Sequence, residues 1–161
     1  MLNPLQICDG LWAQSSPSGA DGCRDMFYEE LFPPMEQSKA WSHRLPDIGV
    51  TLEDFSFLAS SDLQVFVEEE THPQHCQKLH FRTISTNEPH PLAALPFLEI
   101  SVPHIDNILL YENHVAVIGG RIQETPTLVV VTPTLVSVWD WTLGRLEMVR
   151  HGQKSLISSV N

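Results

Sequence analysis

Four side chains that commonly bind transition metals lie within nine residues: His72, His75, Cys76 and His80. Imidazole nitrogens and a thiol are ligands that zinc prefers in proteins. The spacing differs from that of a standard zinc finger, because no second Cys or His pair follows at the usual distance. Pro73 places the start of the cluster in a loop. We therefore interpret the cluster as part of a polar loop, with no metal assigned, and keep a small metal-binding protein as the alternative.

Three consecutive glutamates at positions 68–70 could in principle bind a cation or serve acid–base chemistry. Successive side chains of a strand point to opposite faces of a sheet, so these carboxylates do not converge on one ligand. We interpret them as a solvated strand end that resists edge-to-edge aggregation.

Nucleophilic chemistry has no sequence signal either. The chain lacks a Gly-x-Ser-x-Gly motif, which presents the serine in one large hydrolase class. Its cysteines (Cys8, Cys23 and Cys76) are odd in number and widely spaced, so they form no disulfide framework. The glycine pair before Arg121 lacks the lysine of a phosphate-binding loop. The sequence therefore predicts neither an enzyme nor a cofactor.

The formal net charge of −11 is uneven, since residues 1–70 hold thirteen acidic and three basic side chains. An acidic surface repels phosphate groups, which argues against nucleic-acid and membrane-surface partners. No basic and apolar leader is found, and no apolar run reaches the length of a membrane span. We expect a cytoplasmic or nuclear protein.

Short alternating apolar runs separated by turn residues dominate the chain from residue 50 onward. They include residues 63–69, 78–85, 97–102, 115–118 and 135–141. This pattern predicts an all-β fold of short antiparallel strands. We divide the chain into a loop-rich segment with one or two short strands (1–49), a blade-forming region (50–152) and a tail (153–161).

The segment around Trp139, Asp140, Trp141 and Gly144 resembles the turn between two strands of a propeller blade. Alternation places the two indoles on one sheet face and the carboxylate on the other, where it can accept bonds from turn amides. Gly144 permits a positive φ. The role that we predict for these residues is structural, in partial, WD-repeat-like blades. At 161 residues the chain is too short for a closed propeller.

Four blocks of sequence follow one another along the chain: residues 5–13, 50–55 with 61–68, 79–93, and 138–144. The third block, in which a strand is followed by Ser-Thr-x-x-Pro-His-Pro-Leu-Ala, is the most specific. In this order the blocks resemble the region that follows the F-box in large families of fungal, mushroom-type F-box proteins. We identify a resemblance to the propeller-like C-terminal part of these proteins, without the F-box.

The resemblance implies a protein–protein interaction module that recognises substrates for a cullin-type ubiquitin ligase. In such adaptors the F-box docks to the Skp protein, and nothing before Leu5 could form that helical module. Docking to Skp and cullin is therefore in doubt, and the protein partner is unknown. We expect exposed loops near residues 71–77 and 87–95, at one blade end, to contact it. The remaining alternative is a fragment of a larger F-box protein with no independent function.

Overall fold

The computed structural model describes residues 5–17, 24–31, 41–68, 76–102, 104–119, 122–125, 128–131 and 135–151. These residues form fourteen strands and a single 3-10 turn, Ala59–Ser61. Twelve strands make three four-stranded sheets, and the other two pair as a hairpin. All neighbouring strands are antiparallel. The predicted all-β, antiparallel class is confirmed.

Each large sheet is built from strands that follow one another along the chain. The first sheet contains β1 (Leu5–Cys8), β2 (Leu11–Pro17), β3 (Arg24–Glu30) and β4 (Ser42–Leu45). The second contains β5 (Leu52–Leu58), β6 (Leu63–Glu68), β7 (Gln77–Thr83) and β8 (Phe97–Ile100). The third contains β9 (Ile105–Tyr111), β10 (His114–Gly119), β13 (Leu135–Asp140) and β14 (Arg145–His151). The hairpin of β11 (Ile122–Thr125) and β12 (Leu128–Val131) lies between β10 and β13 in the chain.

The expectation of one or two strands before residue 50 is wrong, because this segment forms the whole first sheet. Strand β3 carries three nonpolar residues in a row, at positions 26–28, and so lacks the alternation that predicts a strand. Strand β4 is short and mostly polar. Pairing of β3 with β2 and of β4 with β3 fixes both strands, and this non-local pairing outweighs local propensity.

The three sheets stack face to face, with the second sheet in the middle. Its Phe66 belongs to a core shared with Met26 and Tyr28 of the first sheet. Its Val65 and Phe81 belong to a second core, which includes Val115 of the third sheet. Strand β6 is therefore buried on both faces. Each fully buried side chain of this size contributes about 2 kcal/mol through the hydrophobic effect.

The first strands of the three sheets lie next to one another. Strand β5 contacts both β1 and β9, and residues of all three strands line one cleft of about 270 Å³, which we call the inner cleft. The sheets therefore extend outward from a common line, with β4, β8 and β14 farthest from it.

The described residues contain no helix that is long and apolar enough to cross a membrane. The tail predicted at 153–161 lies outside the described residues.

Candidate binding surface

Most of the turns among the described residues lie at one end of the three sheets. Neighbouring strands of each sheet are antiparallel and follow the chain order. The turn between the first and second strands and the turn between the third and fourth strands therefore lie at the same end of each sheet. We call it the turn surface, formed by residues 9–10, 59–62, 84–96, 112–113 and 141–144.

Residues with left-handed backbone shape the tight turns here. Asp9 and Gly10 have φ of 49° and 77°, as a two-residue hairpin of type I′ requires. Asp62 has φ of 54°. Its carboxylate accepts hydrogen bonds from the Ser85 backbone nitrogen at 2.9 Å and from the Ser85 hydroxyl at 2.6 Å. The carboxylate thus ties the β5–β6 turn to the end of β7.

The buried His90 holds the long loop between β7 and β8 in place. Its Nε2–H donates to the carbonyl oxygen of Ser61 at 3.0 Å, and its Nδ1 accepts from the backbone nitrogen of Leu92 at 3.3 Å. The imidazole meets the Trp141 indole edge-on, with ring centroids 5.0 Å apart. His90 therefore fixes the loop to the neighbouring turn of its own sheet and to the third sheet.

The indole of Trp141 is a buried anchor between the second and third sheets. It is 3% exposed and stacks on Phe81 with centroids 5.9 Å apart. Its Nε1–H donates to the carbonyl oxygen of Glu112 at 3.2 Å, and its backbone nitrogen donates to that of Asn113 at 3.1 Å. Trp139 packs against the same core.

The carboxylate of Asp140 organises the β13–β14 turn. Its Oδ1 accepts from the Thr142 hydroxyl at 2.6 Å and from the backbone nitrogens of Thr142 and Leu143 at 3.0 and 3.1 Å. Its Oδ2 accepts from the Asn113 side chain at 2.7 Å. These bonds, above all that from the Thr142 hydroxyl, lower the pKa of Asp140. The turn also contains Gly144, at φ 63°.

Three leucines of this rigid framework point into solvent, and we call them the leucine patch. Leu92, Leu95 and Leu143 are 64%, 47% and 60% exposed. Leu95 lies over the β13–β14 turn, since a Cβ placed on Gly144 would be 3.3 Å from its Cδ1. The neighbouring Ala94 donates its backbone N–H to the Trp141 carbonyl oxygen at 3.2 Å. Exposed acids on the same surface are Asp9, Glu88 and Glu112.

Of the two loops expected to contact a partner, the 87–95 loop belongs to the turn surface. In the 71–77 loop, residues 71–75 lie outside the described part of the chain. The expected contact of these loops with a partner stays a prediction.

Two of the four candidate metal ligands, Cys76 and His80, belong to the described residues. His72 and His75 lie outside the described residues. Cys76 is exposed, with its sulfur 3.7 Å from the Ser101 hydroxyl. The Nε2 of His80 lies 2.9 Å from a carboxylate oxygen of Glu68. Of the glutamate run, only Glu68 is described, at the end of β6, while positions 69–70 are not.

A different group of possible ligands lies on the third sheet, where ligand atoms of His114, Asp140 and Glu147 are within 4.8 Å of one another. Hydrogen bonds account for this arrangement. Both oxygens of Asp140 are engaged in the turn. Glu147 accepts from Arg145 at 2.8 Å and pairs with His114 at 3.0 Å.

The Cys8 thiol, at the end of β1, is half-buried. Burial, followed by the charge of Asp9, raises the pKa of this thiol, which disfavours the reactive thiolate. Cys23 lies outside the described residues. No role in chemistry is assigned to either cysteine.

In comparisons with known proteins, no family model, no curated protein and no solved structure matches the chain. The F-box resemblance therefore stays a prediction.

Proposed function

We propose that this chain is a protein-binding module of propeller-like blades that acts as the substrate-recognition part of an F-box ubiquitin-ligase adaptor. The observation that carries the proposal is the strand order. Three successive antiparallel sheets each follow the chain order outward, and their first strands meet at the inner cleft. Propeller blades are four-stranded sheets arranged in this way around a central channel.

The turn surface has the properties of a recognition site. His90, Asp62 and Asp140 fix its loops through buried or multiple hydrogen bonds, so a partner would not have to order them. Binding to a preorganised surface avoids much of the entropy cost of association. The exposed leucines supply apolar contact area.

The charges on the turn surface indicate the chemistry of the partner. Asp9, Glu88 and Glu112 are exposed acids on the turn surface. Complementary charge steers association and rejects wrong partners. We infer a protein segment whose apolar side chains are flanked by lysine or arginine.

The hydrogen bonds that the Asp62 and Asp140 carboxylates accept are consistent with recognition without catalysis. Asp62 and Asp140 accept hydrogen bonds from the turns that they stabilise, and this use explains their positions. The adaptor role itself is supported by the sequence resemblance, with a cytoplasmic or nuclear location as part of the proposal. Skp and cullin docking is not assigned to any described residue.

Affinity capture with matched variants tests the proposal. Leu92→Asp and Leu95→Asp place a charge on the leucine patch, whereas Val149→Asp, 44% exposed on β14, places the same charge elsewhere. We expect proteins retained by the wild type and by V149D to be lost with L92D and L95D. Equal retention by all four would contradict the assignment of the turn surface.

A further inference from the structure

The stack of three sheets has two end faces, one on the first sheet and one on the third. We call the outward side of the first sheet the first end face and that of the third sheet the last end face. Alternation and strand register assign the residues. The first end face carries Leu5, Ile7, Trp12, Gln14, Phe27, Glu29 and Arg44. The last end face carries Leu109, Tyr111, Ala116, Ile118, Val136, Val138 and Met148, with the polar residues Asn107, His114, Asp140, Arg145 and Arg150 toward the strand ends.

The centre of the last end face has the composition of a buried sheet face. Leu109, Ala116, Val138 and Met148 lie side by side in the strand register, although water-facing sides of antiparallel sheets are normally polar. Leu109 and Met148 are nevertheless 52% and 38% exposed. An exposed apolar centre rimmed by polar residues marks an interaction site.

The first end face is a grooved surface of mixed character. Leu5 and Ile7 are 53% and 64% exposed. A groove of about 580 Å³ lies beside them, lined by Trp12, Phe27 and Arg44 among others. Apolar side chains protruding from another sheet could fill it, as they do between the sheets of this chain.

We propose that two copies of this chain close head to tail into a ring of six blades, with the first end face of each copy on the last end face of the other. This inference rests on the proposed blade arrangement. The twofold axis runs along the line where the first strands meet, so each contact between the copies occurs twice, as twofold symmetry requires.

The number of blades selects two copies. Closed propellers have about four to eight blades. The described residues of one copy provide three four-stranded sheets, those of two copies provide six, and three copies would exceed the range. Two is therefore the number of copies that closes the ring without blades from another source.

The area that closure buries is sufficient for a stable dimer. Four strands about 4.8 Å apart and about six residues long, at about 3.3 Å per residue, present roughly 400 Å² on each face. Closure covers both end faces of both copies, or about 1,600 Å², which is the standard size of a specific interface.

Analytical ultracentrifugation of the full chain at concentrations on the order of 100 μM tests the proposal directly. The wild type should sediment at twice the monomer mass of 18.1 kDa. Phe27→Glu and Val138→Glu each damage one end face, and both should shift the protein to monomer while thermal unfolding shows that it remains folded. Leu92→Asp, on the turn surface, should leave the dimer mass unchanged.

Mixing the two variants gives a second readout that does not depend on either variant alone. A mixed pair of F27E and V138E retains one undamaged contact, so mixing should restore part of the dimer.

Three results would overturn the ring. They are a monomeric wild type, loss of the dimer with only one of the two variants, which indicates like faces paired, and open-ended growth with concentration. None of these affects the capture experiment with L92D, so the ring and the proposed binding surface fail independently.

Discussion

The His90 imidazole lies edge-on to the Trp141 indole, with ring centroids 5.0 Å apart and ring planes at 89°. His90 comes from the loop that joins β7 to β8, and Trp141 comes from the turn that follows β13. The contact therefore joins the second and third sheets at the turn surface. Because His90 fixes the loop that carries Leu92 and Leu95, these exposed side chains keep defined positions on the turn surface.

Replacing His90 with phenylalanine tests this connection. The His90→Phe variant keeps a ring beside Trp141 but leaves the Ser61 carbonyl oxygen without its imidazole donor. We expect a loss of about 1–3 kcal/mol in the free energy of unfolding, measured by urea titration. Hydrogen exchange in residues 87–96 should also accelerate. The matched change His104→Phe, at a 56% exposed side chain, should cost much less. An equal cost in both variants would argue against an anchoring role for His90.

A buried hydrogen bond joins the first and second sheets. The Tyr28 hydroxyl donates to the Gln64 side-chain oxygen, and the Gln64 nitrogen donates to the Thr83 carbonyl oxygen at 2.7 Å. Tyr28→Phe leaves the Gln64 oxygen buried without that donor, so we expect a loss of about 1–3 kcal/mol. Tyr111→Phe, at a 71% exposed site, serves as the control and should change stability by no more than about 0.5 kcal/mol. If Y28F is as stable as Y111F, the bond does not hold the sheets together.

Asp54 provides a prediction about pH. Burial raises the pKa of this carboxyl in the folded protein, against the opposing effects of the Phe55 backbone N–H and the charge of His104. The folded state therefore binds this proton more tightly than the unfolded state, and ionised Asp54 lowers stability at neutral pH. Asp54→Asn should raise the melting temperature at pH 7. The gain should shrink as pH falls through the folded-state pKa of Asp54 toward the ordinary aspartate value.

Melting curves across pH for the wild type, D54N and the exposed-site control Glu99→Gln would show this trend. A gain for D54N that is constant with pH would contradict the electrostatic explanation. A gain of the same size in E99Q would assign it to net charge.

The sequence predicts the strands best where apolar and polar residues alternate. Residues 63–69, 78–85 and 135–141 were expected as strands, and β6, β7 and β13 occupy nearly those positions. Strands β3 and β4 of the first sheet escape such reasoning because they lack alternation and are defined by their partners. Strand β11 is likewise too short and irregular in pattern to be predicted.

The turn surface could be predicted only in part. The prolines and polar residues of the 87–95 loop indicate an exposed turn, and His90 belongs to the Pro-His-Pro-Leu-Ala match, but neither feature assigns an anchoring role to its imidazole. Its role depends on Ser61 and Trp141, which are distant in sequence and come together only in the stacked sheets. The same holds for Tyr28 and Gln64, which belong to different sheets. Pro89 and Pro91, which flank His90, are the sequence feature that points to a fixed position for this side chain.

Substitutions of two glycines with similar backbone angles distinguish the effect of backbone strain from the effect of packing at the turn surface. Gly10 and Gly144 have φ of 77° and 63°. Each alanine substitution should cost about 1–2 kcal/mol for the left-handed backbone. A Cβ at position 144 would also lie 3.3 Å from Leu95, whereas at position 10 it meets nothing within 4 Å. We expect a larger fall in melting temperature for Gly144→Ala than for Gly10→Ala. A larger fall for G10A would contradict the packing of the 87–95 loop on the β13–β14 turn.

The most direct measurement of the central claim is site-specific photo-crosslinking from the turn surface. A benzophenone amino acid at position 92 would report on the leucine patch, and the same residue at position 99, exposed on β8, would report on the outer strands. In extracts of the source organism, position 92 should cross-link to a discrete protein partner through an apolar segment flanked by basic residues, and position 99 should not. Cross-links that are the same at both positions, or a discrete partner at position 99 alone, would contradict recognition through the turn surface.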